Sequence, residues 1–209
     1  VTILRSADEV AAVIAAPECS QGRTIAGIAG APGAGKSTLA AAVVERLGDG
    51  AILLPMDGFH LPQATLTALG RRERMGAPDT FDLAALLNTL TLLTDAHNSG
   101  RIVVAPSFNR EIEEPVPDAI EILPELCAVV LEGNYLLLDH GGWEAVAGFL
   151  DVSFYLDVDG DLRLERLIAR HEAFGKSPAD ARAWALGPDE ANARLIQSTA
   201  QRADYRVRL

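Results

Sequence analysis

The stretch GIAGAPGAGKST, Gly27 to Thr38, limits the fold more than any other part of the chain. Gly30, Gly33, Gly35, Lys36 and Ser37 fit the spacing G-x-x-x-x-G-K-[ST], with an apolar run, TIAGIA, before them and a helix-like run, KSTLAAAVVERL, that opens at the lysine. A corner this rich in glycine gives up folding entropy, so it needs a reason. The pattern supplies one: polyphosphate approaches the backbone more closely than a Cβ permits, several N–H groups turn inward, and the helix beginning near Lys36 adds its positive end. This is the P-loop arrangement. Gly30, Ala31, Pro32, Gly33, Ala34, Gly35, Lys36, Ser37 and Thr38 are therefore the expected nucleotide-binding set, with Lys36 directed to the β- and γ-phosphates and the Ser37 hydroxyl to magnesium.

At 209 residues, 49% hydrophobic and 22% charged, the chain can bury one sizeable core, and a single domain over residues 1–209 is expected. The formal net charge of -11 repels polyanions and anionic bilayers, which argues against nucleic acid and membrane as partners. A local nest of amides still holds an anion on an acidic protein. Ser6, with Glu9 three residues on, reads as a capping box opening the helix SADEVAAVIAA. The runs RTIAGIAG, AILLPMD, RIVVAP, CAVVLEG and DVSFYLDVD are apolar without alternation, which predicts strands buried on both faces. Between them KSTLAAAVVERL closes at Gly48, and DLAALLNTLTLLTDAHNSG sets Leu83, Leu86, Leu87 and Leu90 on one helical face. Three more helix-like segments, DLRLERLIARHEA, SPADARAWAL and DEANARLIQSTAQR, precede a last strand candidate, ADYRVRL. This alternation predicts an α/β fold: a mainly parallel sheet, helices on both faces, and ligands at the carboxyl ends of the strands. Cys19 and Cys127, without metal-ligand spacing around either, read as reduced packing residues of a cytoplasmic protein, and neither a membrane span nor a signal peptide is expected.

Two carboxylates stand where such a sheet presents its ligand edge, Asp57 at the end of AILLPMD and Glu132 near the end of CAVVLEG. Moving a phosphoryl group to a hydroxyl requires a base for the acceptor and acids that help hold magnesium, and two acids at two strand tips meet that need. Through GIAGAPGAGKST, MDGFH, GAPDTFD, LEGNY and RLERLIARH the sequence resembles the uridine kinase, phosphoribulokinase and pantothenate kinase group of small-molecule P-loop kinases. Within that group it is most similar to the fructokinase-like bacterial proteins described as fructose transport kinases. The resemblance implies a three-layer P-loop nucleoside triphosphate hydrolase fold with a helical lid, here over about residues 161–187, and the use of ATP and Mg2+. It implies that Asp57 is the base and approaches the metal, that Glu132 helps coordinate it with Ser37, and that lid arginines contact phosphates. Arg166 and Arg170 are the lid candidates, with Lys176 a third, so Lys36, Asp57, Arg166 and Arg170 form the expected catalytic set. Arg163, Arg166 and Arg170 also fall near one helical face, where Glu165 and Glu172 offer ordinary ion pairs instead.

The segment HLPQATLTALGRRERMGAPDTFD, with its arginine cluster and Gly-Ala-Pro turn, suits a flexible cover over the acceptor, and PSFNREIEEPVPD reads as a second long loop. His60, Arg72, Asp79, Phe108 and Arg110 are, with Asp57, the expected substrate-binding residues. Their competing roles are a loop histidine, a helix cap at Asp79 or Asp82, and a core phenylalanine. Uridine kinases carry an aspartate and a histidine before the matching Pro-Asp pair. Here Gly76 and Ala77 precede Pro78 and Asp79, so a ribose is less well provided for and a free sugar such as fructose fits better. Asn192 also matches the fructokinase-like proteins, without a physical role to assign. The expectation is an ATP-dependent kinase for a small metabolite, a sugar first, with a nucleoside or pantothenate-like acceptor as the alternative and homodimerisation left open. A regulatory GTPase would use D-x-x-G at Asp139 and Gly142, but no Asn-Lys-x-Asp stretch accompanies it. A nucleotide-binding subunit without acceptor chemistry would need neither Asp57 nor the two long segments.

Overall fold

The computed structural model describes residues 2–15 and 22–209, and Cys19 lies outside them. Six strands form one sheet, in the order β1 (Thr2–Leu4), β8 (Tyr205–Arg208), β7 (Val152–Asp157), β2 (Thr24–Ala29), β6 (Ala128–Gly133) and β3 (Ala51–Pro55). Every pairing in it is parallel. Every residue of β2 and β6 is buried, as the unbroken apolar runs TIAGIA and AVVLEG require of central strands. Helices α1 (Ala7–Ile14) and α2 (Lys36–Leu47) contribute Val10, Ile14, Leu39 and Val43 to the core on one face of the sheet. Helices α4 (Leu83–Ser99) and α7 (Pro188–Ser198) contribute Leu86, Leu90, Leu93 and Ile196 to the core on the other. Full burial of each such leucine stabilises the fold by roughly 1.5–3 kcal/mol.

Local signals in the sequence act as expected at the helix ends. Ser6 Oγ accepts from the Glu9 amide at 3.2 Å, while the Glu9 carboxylate accepts from the Arg5 amide at 2.7 Å. Helix α2 stops at Gly48, where φ is 70° and the amide returns to Val44 O. The register of the sheet then builds the ligand edge. Glu132 on β6 lies beside Ile28 on β2 and beside Pro55 on β3, so the P-loop after β2 and Asp57 after β3 flank Glu132.

The run RIVVAP departs from its expected place. It forms β4 (Val103–Asn109), which pairs antiparallel with β5 (Glu114–Ile122) as a separate two-stranded sheet. Val103 and Ala105 are buried while Val104 is exposed, an alternation too short to read against the neighbouring apolar residues. The supposed loop PSFNREIEEPVPD is most of this hairpin. Pro115 and Pro117 argue against a central strand, but a two-stranded ribbon leaves one edge of each strand free of ladder bonds.

The remaining elements are α3 (Gln63–Ala68), α5 (Gly160–Ala173) and α6 (Pro178–Leu186). The cover around α3 is tied down within itself and to the core: Asp79 pairs with Arg71 and Arg74, Tyr135 Oη donates to Gly76 O at 2.5 Å, and Trp143 Nε1 donates to Pro78 O at 3.3 Å. Two arginines of its cluster thus serve the segment's own conformation. Cys127 is disulfide-bonded, which corrects the expectation of a reduced thiol; spacing along the chain carries no information about a bridge made by folding. No helix among the described residues is long and apolar enough to cross a membrane.

Candidate active site

The glycines of the P-loop have two separate reasons to be glycine. Gly33 and Gly35 have φ of 80° and 94°, a region that L side chains rarely adopt. A Cβ on Gly33 would also lie 2.7 Å from Leu167 Cγ and 2.8 Å from Arg163 O, so helix α5 presses on the outside of the loop. Gly35 caps α2 without any side-chain hydrogen bond, which leaves the first amides of that helix for an anion. Lys36 is 9% exposed, and its Nζ donates to Ala31 O at 3.1 Å and to Asn134 Oδ1 at 2.6 Å. Burial pulls its pKa down to about 8, against the attraction of Glu132 and Asp57. The ammonium form is the one that attracts phosphate. ATP affinity of the free enzyme is therefore expected to hold below about pH 8 and to weaken about tenfold per pH unit above it, measurable by calorimetric titration between pH 6.5 and 9.5.

Ser37 Oγ donates to Glu132 Oε1 at 2.9 Å. Glu132 is 5% exposed, and burial raises its pKa despite the opposing pull of Lys36. Among the described residues no group of three or more His, Cys, Asp or Glu is arranged to hold a metal by itself. A hydroxyl and carboxylates beside a phosphate site fit a hard cation that keeps water and phosphate oxygens as its other ligands, as magnesium does.

Asp57 sits in the turn Met56–Phe59 that follows β3, and Arg110, just past β4, donates to its Oδ2 at 2.5 Å. Burial alone would push this carboxyl up, but His60, Arg110, Lys36 and Arg170 together hold it below the usual carboxylate range. Arg110 is the charge in direct contact. His60 lies 2.8 Å from Asp57 O through Nδ1, which must carry a proton to donate to a carbonyl; in the neutral ring this leaves Nε2 as an acceptor, and in the charged ring both nitrogens donate. Its ring packs 4.0 Å from Phe81 and 4.8 Å from Phe108 between centroids, and burial lowers its pKa.

These groups surround one cavity of about 150 Å³. Of the residues expected from sequence, Pro32, Lys36, Ser37, Asp57, His60, Arg72, Phe108, Arg110, Glu132 and Arg170 line it, and so does Lys176. Asp79 does not: its carboxylate is taken by Arg71 and Arg74, and the helix-capping role goes to Asp82, which accepts from the Ala85 amide at 2.9 Å. Arg72 pairs with Glu113 at 2.5 Å, joining the cover to the β4–β5 turn. The two arginines expected from sequence in a lid part company. Arg170 faces the cavity, whereas Arg166 approaches Ala34 O at 3.5 Å and lines a wider groove of about 710 Å³ with Gly35, Thr38 and Arg208. Arg163 pairs with Glu190 of α7, not with either neighbouring glutamate on its own helix.

Asn134, His171, Trp184, Asp189 and Asn192 also line the cavity, and none of them had a sequence-based role. Asn134 had a usable signal, since it stands two residues past Glu132 at the tip of β6. The other four come from the C-terminal helices and reach the site only through the packing of α5, α6 and α7. Asn192 Nδ2 donates to Gly76 O at 3.3 Å, which ties α7 to the cover.

A profile described as the phosphoribulokinase/uridine kinase family matches residues 25–207. The uncharacterized protein YggC of Escherichia coli strain K12 is 32% identical over 194 residues, spanning 90% of this chain and 79% of that protein. A Schizosaccharomyces pombe protein named "Putative uridine kinase C227.14" is 35% identical over 167 residues, spanning 74% and 69%. The crystal structure of a "putative fructose transport system kinase" from Silicibacter sp. TM1040 superposes with a TM-score of 0.86 at 33% identity, covering 96% of this chain and 98% of that one.

Proposed function

The chain belongs to the phosphoribulokinase/uridine kinase family and is an ATP-dependent small-molecule kinase, and from that premise we propose that its acceptor is a free sugar, with fructose the first candidate. One observation carries the chemistry: Lys36, the Ser37–Glu132 pair and Asp57 converge on a single cavity. The sugar acceptor is supported by the likeness to the Silicibacter protein and by Gly76 and Ala77 before Pro78, which leave no side-chain hydrogen bonds there for a ribose.

In this reading the amides of residues 33–38 and the Lys36 ammonium hold the β- and γ-phosphates, and the groove beside Gly35 and Thr38 takes the nucleoside end. Ser37 and Glu132, with Asp57 close by, would hold magnesium, which when bound would supply charge neutralisation on the phosphates. The acceptor oxygen attacks the γ-phosphorus, the bond to the β–γ bridging oxygen breaks, ADP leaves, and Asp57 takes the hydroxyl proton. Arg170 faces the transferred group. The segment over about residues 161–187 acts as a lid whose closure excludes water, which would otherwise take the phosphoryl group.

A screen of free sugars, nucleosides and pantothenate for acceptor-stimulated ADP release by the purified protein tests the assignment. A free hexose is expected to stimulate release at least tenfold over the water reaction. Stimulation by uridine and not by sugars would replace the sugar with a nucleoside.

A further inference from the structure

One wall of the cavity takes no part in the chemistry above. It is built by α6 and α7 and carries Trp184 and Asp189. Trp143, the other tryptophan, is 2% exposed in the core and its indole N–H is bonded. Trp184 is different: it is half-buried, its indole N–H has no hydrogen-bond partner among the described residues, and Lys176 Nζ lies 4.5 Å from its ring centroid. An indole placed on a cavity wall offers an apolar face together with one donor.

Asp189 is 8% exposed, and its Oδ2 lies 2.7 Å from His171 Nε2 on α5. Its Oδ1 has no hydrogen-bond partner among the described residues. That oxygen is not sealed away either, because the only fully enclosed side-chain nitrogen or oxygen without a partner among them is Arg163 Nη1. An ionised carboxylate is an acceptor only, so an oxygen that opens on the cavity and has no donor from the protein is free to accept from whatever fills it. A ligand that brings hydroxyl groups meets this need.

We propose that Trp184 and Asp189 select the acceptor, and that the acceptor is an uncharged polyol: Asp189 accepts from one or two adjacent hydroxyls, and Trp184 covers an apolar C–H face of the same molecule. This rests on the sugar reading and narrows it. Lys176 and Arg170 also line this cavity, but a phosphate or carboxylate placed directly against Asp189 would meet like charge, whereas a free hexose sets hydroxyl donors there.

The test uses the free hexose that stimulates ADP release best, the same hexose carrying a phosphate, and the Asp189→Asn, Trp184→Phe and Trp184→Ala proteins. Asp189→Asn keeps shape and an oxygen for His171, so it isolates the charge. It should raise the KM for the free hexose about tenfold or more while leaving the KM for ATP within twofold. Trp184→Ala should raise the hexose KM similarly, and Trp184→Phe should restore most of the affinity. If free hexoses turn over but these variants leave the hexose KM within twofold, or change the KM for ATP instead, the selecting wall is overturned and the sugar reading stands. If the wild type prefers the phosphorylated hexose, the uncharged acceptor is overturned. If no free sugar stimulates ADP release, the sugar reading falls and the wall falls with it.

Discussion

Asp57→Asn should retain ATP affinity and lose about 100-fold or more in turnover. The amide has the shape of the carboxylate but cannot take the acceptor proton, so binding and chemistry separate in this one variant. The pH profile gives the same residue a second reading. A base works only when ionised, so activity is present above the pKa of Asp57 and is lost as pH falls through it. With that pKa held below the ordinary aspartate value of about 3.9, no acid limb from Asp57 is expected above about pH 5. Arg110 is the charge in contact, at 2.5 Å. Removing it in Arg110→Met leaves burial less opposed, raises the pKa, and should move the acid limb of kcat/KM for the acceptor to higher pH. An Asp57→Asn protein that turns over within a few-fold of wild type would show that another group takes the proton.

The contact between Asp57 and Arg110 also marks where sequence reasoning stopped. The P-loop was legible because motif, preceding strand and following helix are contiguous, and Asp57 and Glu132 were legible because each stands near the end of an apolar strand. Those features need only nearest neighbours in the chain. Arg110 was a substrate candidate, but that it would reach Asp57 depends on the hairpin of β4 and β5, which two prolines disguised as a loop. Asp79 failed for the opposite reason: its partners, Arg71 and Arg74, stand only a few residues away, and a local ion pair used up a carboxylate that the motif GAPDTFD made prominent. Trp184 and Asp189 carry no local mark at all. Their place at the cavity follows from how α6 and α7 return to the carboxyl edge of the sheet, which is tertiary packing and not periodicity.

The hairpin reaches Asp57 because residue 58 has no side chain. A Cβ on Gly58 would overlap the carbonyl oxygen of Pro106 and would lie 2.7 Å from its carbonyl carbon and 3.2 Å from Ser107 Cα. These are backbone atoms of β4, so no rotamer change relieves the clash; either the turn at 56–59 or the strand must shift. Gly58→Ala is accordingly expected to cost about 2–3 kcal/mol, which for a domain of this size lowers the melting temperature by roughly 4–12 °C. Gly148→Ala, where a Cβ meets nothing within 4 Å, is the control and should stay within about 0.5 kcal/mol of wild type. The same shift must separate Phe108 from His60 and Arg110 from Asp57, whose contacts depend on β4 lying against the turn. Acceptor KM should therefore rise in Gly58→Ala, and the acid limb should move in the direction expected for Arg110→Met, while ATP affinity, set by the P-loop across the sheet edge, stays close to wild type. A Gly58→Ala protein with unchanged melting temperature and unchanged acceptor kinetics would mean that β4 does not rest on this turn, and the hairpin would then have no part in holding Asp57.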